Sequence, residues 1–156
     1  LSLHDALPIY QPVLKIGVSQ ISGGSKTSVG GYEKDENIDE NSKQFDVDDN
    51  RTLDEVVNWL LKLGYVPSFC TACYRAGRTG DRFMRLAKSG QIVNVCQPNS
   101  LMTLNEYLID YAKDETKILA QNVIDSELEM IPKEKVKNIA KDYILQMESG
   151  KRDFRF

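Results

Sequence analysis

The sequence is poor in the residues that most often carry out chemistry, with one histidine, one tryptophan and three cysteines among 156 residues. Because His4 is the single histidine, a mechanism that needs two histidines from this chain is excluded. His4 also lies near the N-terminus. A Ser-His-Asp triad would require the terminus to fold back. Three cysteines cannot all pair with one another, and their spacing does not indicate a secreted disulfide framework. No run approaches the roughly 18 apolar residues of a membrane span.

An excess of charge of one sign is also missing, since 20 Lys and Arg side chains stand against 23 Asp and Glu side chains, for a net charge of −3. This balance disfavours a protein that binds polyanions, so we expect no nucleic-acid partner and no membrane partner. Apolar residues make up 41% and charged residues 28% of the chain, as is typical of globular proteins.

The N-terminal residues fit no regular element and do not form a signal peptide, because they have neither a basic start nor a continuous apolar core. The next residues suggest that the chain begins within an element: Leu14-Lys15-Ile16-Gly17 is typical of the last turn of a helix that ends at Gly17. We interpret the chain as part of a larger protein, with residues 1–9 as unrelated sequence such as a translated cloning adapter. An ordinary frayed terminus is the alternative.

A β-α-β order is predicted for the first half of the chain. Residues 18–22 alternate apolar and polar side chains as a short strand does, and Tyr65–Phe69 predicts a second strand. Between them, Thr52 and Glu55 form a capping box in front of an amphipathic helix that ends at Gly64. Two parallel strands are too few for a sheet that is buried on both faces, so the pattern predicts a larger α/β sheet outside this chain.

The remainder of the sequence is predicted to be helical. Thr79 is the candidate cap of one helix, and Thr103 with Glu106 forms a second capping box. Asp114 is the candidate cap of a third helix that ends at about Met130, and Pro132 suits the first turn of a fourth. No internal repeat or low-complexity segment interrupts this pattern.

Cys70-Thr71-Ala72-Cys73 is a C-x-x-C motif directly after the second predicted strand, and Cys96 follows after 22 intervening residues. Three functional interpretations compete: a thiol redox pair at Cys70 and Cys73, a zinc-stabilised helical interaction module that would need a fourth ligand, and an iron–sulfur cluster with three thiolates and one open iron. Three unrelated buried thiols are the fourth possibility.

The residues around these thiols favour an anionic centre. Between Cys70 and Gly90 there are four arginines and one lysine against one aspartate, a local charge of +4. Arg75 and Arg78 lie in the loop beside the thiols. They are the candidates for stabilising the negative charge of the ligands without binding the metal themselves. The other basic residues fit an ordinary solvated helix face.

Four stretches resemble the radical S-adenosylmethionine tyrosine lyases that act in FeFe-hydrogenase maturation. Residues 19–32 are similar to a late barrel strand and its loop. Residues 63–75, with the 22-residue gap to Cys96, are similar to a C-terminal cluster motif. The run Cys96-Gln97-Pro98-Asn99 and residues 150–156 fit as well. The resemblance covers about residues 13 to 156, and the C-x2-C-x22-C pattern separates this family from the related thiamine-pathway tyrosine lyase.

The resemblance implies an α/β plus α fold. Residues 1–12 would be an unmatched head, and residues 13–69 the last β-α-β part of a truncated TIM-type radical SAM barrel. Residues 70–156 would be a mostly helical C-terminal domain with an auxiliary iron–sulfur site. The resemblance also implies a cytoplasmic protein whose partners are other hydrogenase maturation proteins.

The resemblance further implies an activity. Full-length members use a first 4Fe–4S cluster to cleave S-adenosylmethionine, and the radical breaks tyrosine into p-cresol and a glycine-derived fragment. By motif match, Cys70, Cys73 and Cys96 hold an auxiliary 4Fe–4S cluster. Its open iron carries an extra iron with free cysteine, on which CO and cyanide are assembled.

The chain also departs from this family. It contains no C-x3-C-x2-C motif, so we do not expect this polypeptide alone to cleave tyrosine, and no catalytic residue is assigned. The barrel histidine that helps to hold the extra iron has no match, because His4 lies in the head. Ser22, Ser25 and Lys26 are candidates for contacting tyrosine or S-adenosylmethionine, since ligands of parallel barrels sit at the C-terminal strand ends. A solvated glycine-rich turn is the alternative for these three residues.

Overall fold

A computed structural model describes residues 12–17, 20–27 and 51–156 of the chain. The chain divides into two compact units, residues 1–56 and residues 57–156. The described residues form helices and connecting segments, and no strand occurs among them. None of the helices in these ranges is long and apolar enough to cross a membrane.

The described part of the first unit confirms the helix end predicted near the N-terminus. Residues 12–15 are helical, and the following turn ends at Gly17, whose φ of +101° is one that glycine adopts without strain. The strand predicted for residues 18–22 falls partly outside the described residues, and its described part, residues 20–22, is not a strand.

Helix α1 spans Leu53–Lys62 and has the predicted caps at both ends. The Thr52 amide donates a 2.7 Å hydrogen bond to the Glu55 carboxylate, and the Glu55 amide donates a 3.3 Å bond to the Thr52 hydroxyl. At the other end Gly64 has a φ of +81°. Its amide and that of the next residue donate back to carbonyls of the last turn. This is the arrangement that terminates helices at glycine.

The strand predicted for Tyr65–Phe69 does not form, since residues 65–70 have no regular secondary structure. A parallel strand is held by hydrogen bonds to neighbouring strands, and the described residues contain none. Phe69 is bound by a helix instead: its amide donates a 3.2 Å hydrogen bond to the Thr103 hydroxyl, and its ring stacks on Tyr107 at 5.1 Å. The strands of the predicted β-α-β part are therefore absent from the described residues, whereas its helix, α1, and the predicted helical part are present.

The second unit contains the remaining helices, and its core lies where three of them meet. Helices α4, α5 and α6 pack against one another. Most of their buried side chains are apolar because each helix carries an apolar face at the 3.6-residue period. The helices are α2, Ala72–Arg75; α3, Asp81–Lys88; a 3₁₀ turn, Gln91–Asn94; α4, Cys96–Asp110; α5, Asp114–Glu129; and α6, Glu134–Glu148. The central core residues include Leu101, Leu104, Ile124, Ala140 and Met147.

Four of the predicted helix starts differ from the structure. Thr79 does not cap a helix, because α3 begins at Asp81 with Gly80 in the capping position. Asp114 is the first residue of α5 rather than its cap.

Thr103 does not cap a helix but lies inside α4, where its hydroxyl donates to the carbonyl of Ser100 at 3.2 Å. Helix α4 begins seven residues earlier, at Cys96, and tolerates Pro98 because the first turn of a helix does not need that amide. Pro132 likewise lies just outside α6, which begins at Glu134.

Candidate functional site

The three cysteines come from two parts of the second unit. Cys70 ends the segment that follows α1, Cys73 is the second residue of α2, and Cys96 is the first residue of α4. All three thiols are free and half-buried. The earlier start of α4 places Cys96 at the N-terminal end of a 15-residue helix.

The C-x-x-C segment is a tight turn closed by its own backbone. The Ala72 amide donates to the Cys70 sulfur at 3.4 Å, and the Arg78 amide donates to the Cys73 carbonyl at 2.8 Å. Amide hydrogen bonds to a cysteine sulfur stabilise its thiolate, and they are one of the means by which proteins adjust iron–sulfur centres. Ala72, between the two cysteines, is only 5% exposed, which ties this turn to the protein interior.

The sulfur of Cys96 interacts electrostatically with both other cysteines. Burial and the nearby thiolates of Cys73 and Cys70 raise the pKa of the Cys96 thiol, whereas the Arg78 guanidinium lowers that pKa. The N-terminal end of a helix also favours negative charge.

The chemistry of the donor set allows an iron–sulfur cluster. Within the described ranges, no group of three or more His, Cys, Asp or Glu side chains could hold one metal ion. Four-coordinate zinc needs its donors at about 2.0–2.3 Å from one centre. Cysteine thiolates are the usual ligands of iron–sulfur clusters, in which different irons take different thiolates. Three thiols of this chain would leave one iron of a cubane cluster without a cysteine.

The two predicted supporting arginines bind the C-terminal end of the chain. Arg75 forms a two-pronged ion pair with Asp153, in which Nη2 lies 3.0 Å from Oδ2. This pairing raises the pKa of Arg75 and lowers that of Asp153. Arg78 donates from Nη2 to the backbone oxygen of Phe156 at 2.7 Å. Arg78 thus lies near Cys96 and also binds the chain end, whereas the partner identified for Arg75 is Asp153.

The sequence did not indicate Asp153 and Phe156 as the partners of the two arginines, or Asn99 as a partner of Phe156. Asp153 and Phe156 lie in a short segment with no helical period, and Asn99 is hidden in the buried face of α4, where it is 2% exposed. The Phe156 amide donates a 2.9 Å hydrogen bond to the Asn99 side chain. The only signal for these residues was that Asn99 and residues 150–156 belong to the stretches that carry the family resemblance.

The three residues predicted to contact substrate, Ser22, Ser25 and Lys26, lie in the first unit. Ser22 and Lys26 are exposed and Ser25 is half-buried. The glycines between them lie against the first turn of α1: a Cβ added to Gly23 would lie 3.2 Å from Val56 Cγ1, and one added to Gly24 would lie 3.2 Å from a backbone nitrogen of α1. These contacts account for the glycines by packing, and the role of the polar side chains stays a prediction.

This chain is similar to one region of a protein of known structure. A crystal structure described as HydG, a maturase of the FeFe-hydrogenase, matches with a TM-score of 0.86 and 47% sequence identity. The match covers 96% of this chain and 32% of that chain, so this chain spans about a third of the length of HydG. The chain matches no family model and no curated protein. The resemblance expected from the sequence motifs is confirmed by this structural match.

Proposed function

We propose that this chain is the C-terminal part of a HydG-type maturase and that it binds the auxiliary 4Fe–4S cluster used in FeFe-hydrogenase maturation. The observation that carries the proposal is that Cys70, Cys73 and Cys96 are all free and half-buried, and that Cys70 and Cys73 lie near enough to Cys96 to raise the pKa of its thiol. The likeness to HydG supports it, because the likeness includes the segments that bear all three cysteines.

The chain's own residues would prepare the site for a cluster. Cys70, Cys73 and Cys96 would be its ligands, and when bound the cluster would supply one iron open to an exogenous group. The Ala72 amide stabilises negative charge on the Cys70 sulfur, and Arg78 does so for Cys96. Half-burial of the thiols limits access of solvent, which affects the stability of iron–sulfur centres.

The wider activity is proposed from the family. The full-length enzyme would be a radical SAM lyase that forms CO and cyanide, with p-cresol, from tyrosine. The auxiliary cluster, with an extra iron and free cysteine, would carry the resulting iron–CO–cyanide unit. Its partners would be tyrosine, S-adenosylmethionine and other hydrogenase maturation proteins in the cytoplasm. The present chain would supply only the auxiliary site, because the motif for the first cluster is missing from its sequence.

Anaerobic reconstitution tests the proposal directly. The chain is incubated with ferrous iron, sulfide and a reductant, desalted, and analysed for iron, acid-labile sulfide and zinc. We expect a brown protein with about four irons and four sulfides per chain, the content of a cubane cluster. Electron paramagnetic resonance of the reduced sample should show the signal of a 4Fe–4S centre.

Two outcomes would contradict the proposal and identify the alternatives. One bound zinc without acid-labile sulfide would point to a zinc-stabilised interaction module. A reversible disulfide between Cys70 and Cys73, with no metal bound to the reduced chain, would point to thiol redox chemistry. Failure to bind iron with all three thiols reduced would also reject the cluster assignment.

A further inference from the structure

Residues 152–156, here called the tail, lie along α4 from its C-terminal to its N-terminal end. At one end the Arg152 guanidinium binds the Asp110 carboxylate at 2.9 Å. At the other end the Phe156 amide donates to the Asn99 side chain at 2.9 Å. The tail therefore connects the far end of α4 to the turn of α4 that begins at the cysteine site.

The last residue of the tail joins the two segments that carry the cysteines. The backbone oxygen of Phe156 accepts hydrogen bonds from Arg78 at 2.7 Å and from the Asn99 side chain at 3.4 Å. The Arg78 amide in turn donates to the carbonyl of Cys73. Asn99 lies in the first turn of the helix that begins at Cys96. The backbone oxygen of Phe156 thus connects the C-x-x-C turn, through Arg78, to the start of α4, through Asn99.

A second connection is made by Asp153. Its carboxylate pairs with Arg75, which is on the same short helix as Cys73. Asp153 has a φ of +69°, the only positive value recorded for a non-glycine residue in the described part of the chain. Aspartate tolerates this conformation better than most residues, but it still carries a cost that the surrounding contacts must offset. The ion pair is such a contact.

Aromatic contacts also hold the tail against α6. The Phe154 ring stacks on Tyr143 of α6 with centroids 4.4 Å apart, and the Phe156 ring lies 5.8 Å from the same tyrosine. Neighbouring tail residues thus bind different partners, Asp153 an arginine of α2 and Phe154 a tyrosine of α6. This pattern is that of an ordered segment with a defined register.

We propose that the tail is a clasp that positions the cysteine ligands, with Asp153 acting through Arg75 and the Phe156 backbone acting through Arg78 and Asn99. The inference rests on the proposed function for the identity of the site, and it adds residues 152–156 to that site. The clasp holds the turn that carries Cys70 and Cys73 at a fixed distance from Cys96. A cluster bridging these segments is then retained because its ligands cannot separate.

Asp153→Asn tests the clasp with little change in shape, because asparagine accepts positive φ and keeps the side-chain size while losing the charge. The matched control is Asp142→Asn, which removes one exposed carboxylate that accepts a hydrogen bond from Gln146 on α6. Each chain is reconstituted anaerobically, and loss of iron to a chelator is followed with time. Amide hydrogen exchange of Arg78 and Asn99 is measured separately on the iron-free chains.

We expect iron to be lost about tenfold faster from Asp153→Asn than from the unmodified chain. A loss of about tenfold is at the low end of what removing a residue that supports metal ligands usually costs. The Arg78 amide should also exchange faster in the iron-free variant, while Asp142→Asn matches the unmodified chain in both measurements. Indistinguishable behaviour of the two variants would overturn the clasp. An unmodified chain that binds no cluster would instead refute the proposed function, and hydrogen exchange would still decide whether the tail fixes the turn.

A double-substituted chain separates the ion pair from a general loss of stability. If Asp153 acts through Arg75, then Arg75→Gln combined with Asp153→Asn should be no worse than either single variant, because both remove one interaction. Losses of retention that simply add would show that the two residues act independently, and would overturn the proposed connection.

Discussion

The side-chain amide of Asn58 on α1 donates a 3.1 Å hydrogen bond to the hydroxyl of Thr116 on α5. Thr116 is 1% exposed, so its hydroxyl is a buried polar group that depends on partners within the protein. Thr116→Val keeps the volume but removes this acceptor, and we expect the free energy of unfolding to fall by about 1 kcal/mol. Urea denaturation measures the change. Thr116→Ser is the control because it keeps the hydroxyl. If the Thr116→Val variant is more stable than the Thr116→Ser variant, the hydrogen bond from Asn58 does not stabilise the fold.

The capping box of α1 gives a prediction with a control inside the same chain. Thr52→Ala removes the hydroxyl that accepts the Glu55 amide, and it should cost about 1 kcal/mol of stability. Thr79 was also a candidate cap, but α3 begins at Asp81 and Gly80 occupies the capping position. Thr79→Ala should therefore change the unfolding free energy by less than about 0.5 kcal/mol. Equal costs for the two alanines in thermal or urea unfolding would contradict the assignment of the caps.

Two isoleucines on α5 distinguish its buried face from its exposed face. Ile124 is fully buried in the core of the second unit, whereas Ile118 is 71% exposed. Ile124→Ala should lower the free energy of unfolding by about 2–5 kcal/mol, because it removes apolar burial and leaves a cavity. Ile118→Ala should change it by about 0.5 kcal/mol or less. Similar losses in the two urea denaturation curves would mean that the helix packs with a different face inward.

Both ends of α1 were predicted correctly because a helix cap depends on residues that are close together in the sequence. The capping box of α1 spans Thr52 and Glu55, and its end depends on Gly64. The same logic failed at Thr103, since a capping pattern inside a helix is not distinguishable by sequence from one at a helix start. The strand predicted for Tyr65–Phe69 failed for another reason: a strand needs partners, and the described residues provide a helix instead.

The surroundings of the cysteines could be predicted only in part. The C-x-x-C spacing and the gap to Cys96 pointed to these three thiols as candidate ligands, and that assignment stays a prediction. The contacts of Arg75 and Arg78 could not be inferred, because their partners Asp153 and Phe156 lie 78 residues away and follow no period. An ion pair with Asp153 determines where the Arg75 side chain lies. Arg78 donates to the Phe156 backbone oxygen and also lies close enough to Cys96 for its charge to act on that thiol.

The ion pairs between α5 and α6 predict a pH dependence of stability. Hydrogen bonds and charge from Lys141 and Lys137 lower the pKa of the Glu129 carboxyl. Because the pKa is lower in the folded chain, this stabilisation is present above the unfolded value of about 4.3 and is lost as the pH falls through the folded value.

Glu129→Gln should therefore be less stable than the unmodified chain at neutral pH, and the difference should shrink as the pH falls below about 4. Urea unfolding at several pH values measures this. Glu148→Gln, which removes an exposed carboxylate from the end of α6, serves as the control and should show no such trend. A difference for Glu129→Gln that stays constant at every pH would mean that its charge is not responsible.

Serine substitution of Cys96 separates a three-thiolate cluster from a redox pair. A redox pair would use Cys70 and Cys73 alone, so Cys96→Ser would leave its chemistry intact. A cluster needs all three ligands, because the chain contains no fourth cysteine to replace a lost one. We therefore expect Cys96→Ser to lose most of its bound iron after anaerobic reconstitution, as should Cys70→Ser and Cys73→Ser.

Thr71→Ser is the control for these three variants, since it changes the same exposed loop without removing a sulfur. It should bind as much iron as the unmodified chain, and circular dichroism should show the same helix content in all four variants. Unchanged iron in Cys96→Ser, with loss in the other two, would restrict the metal site to the C-x-x-C turn. The start of α4 at Cys96 would then have no role in binding, and the position of this cysteine at a helix N-terminus would be a matter of packing.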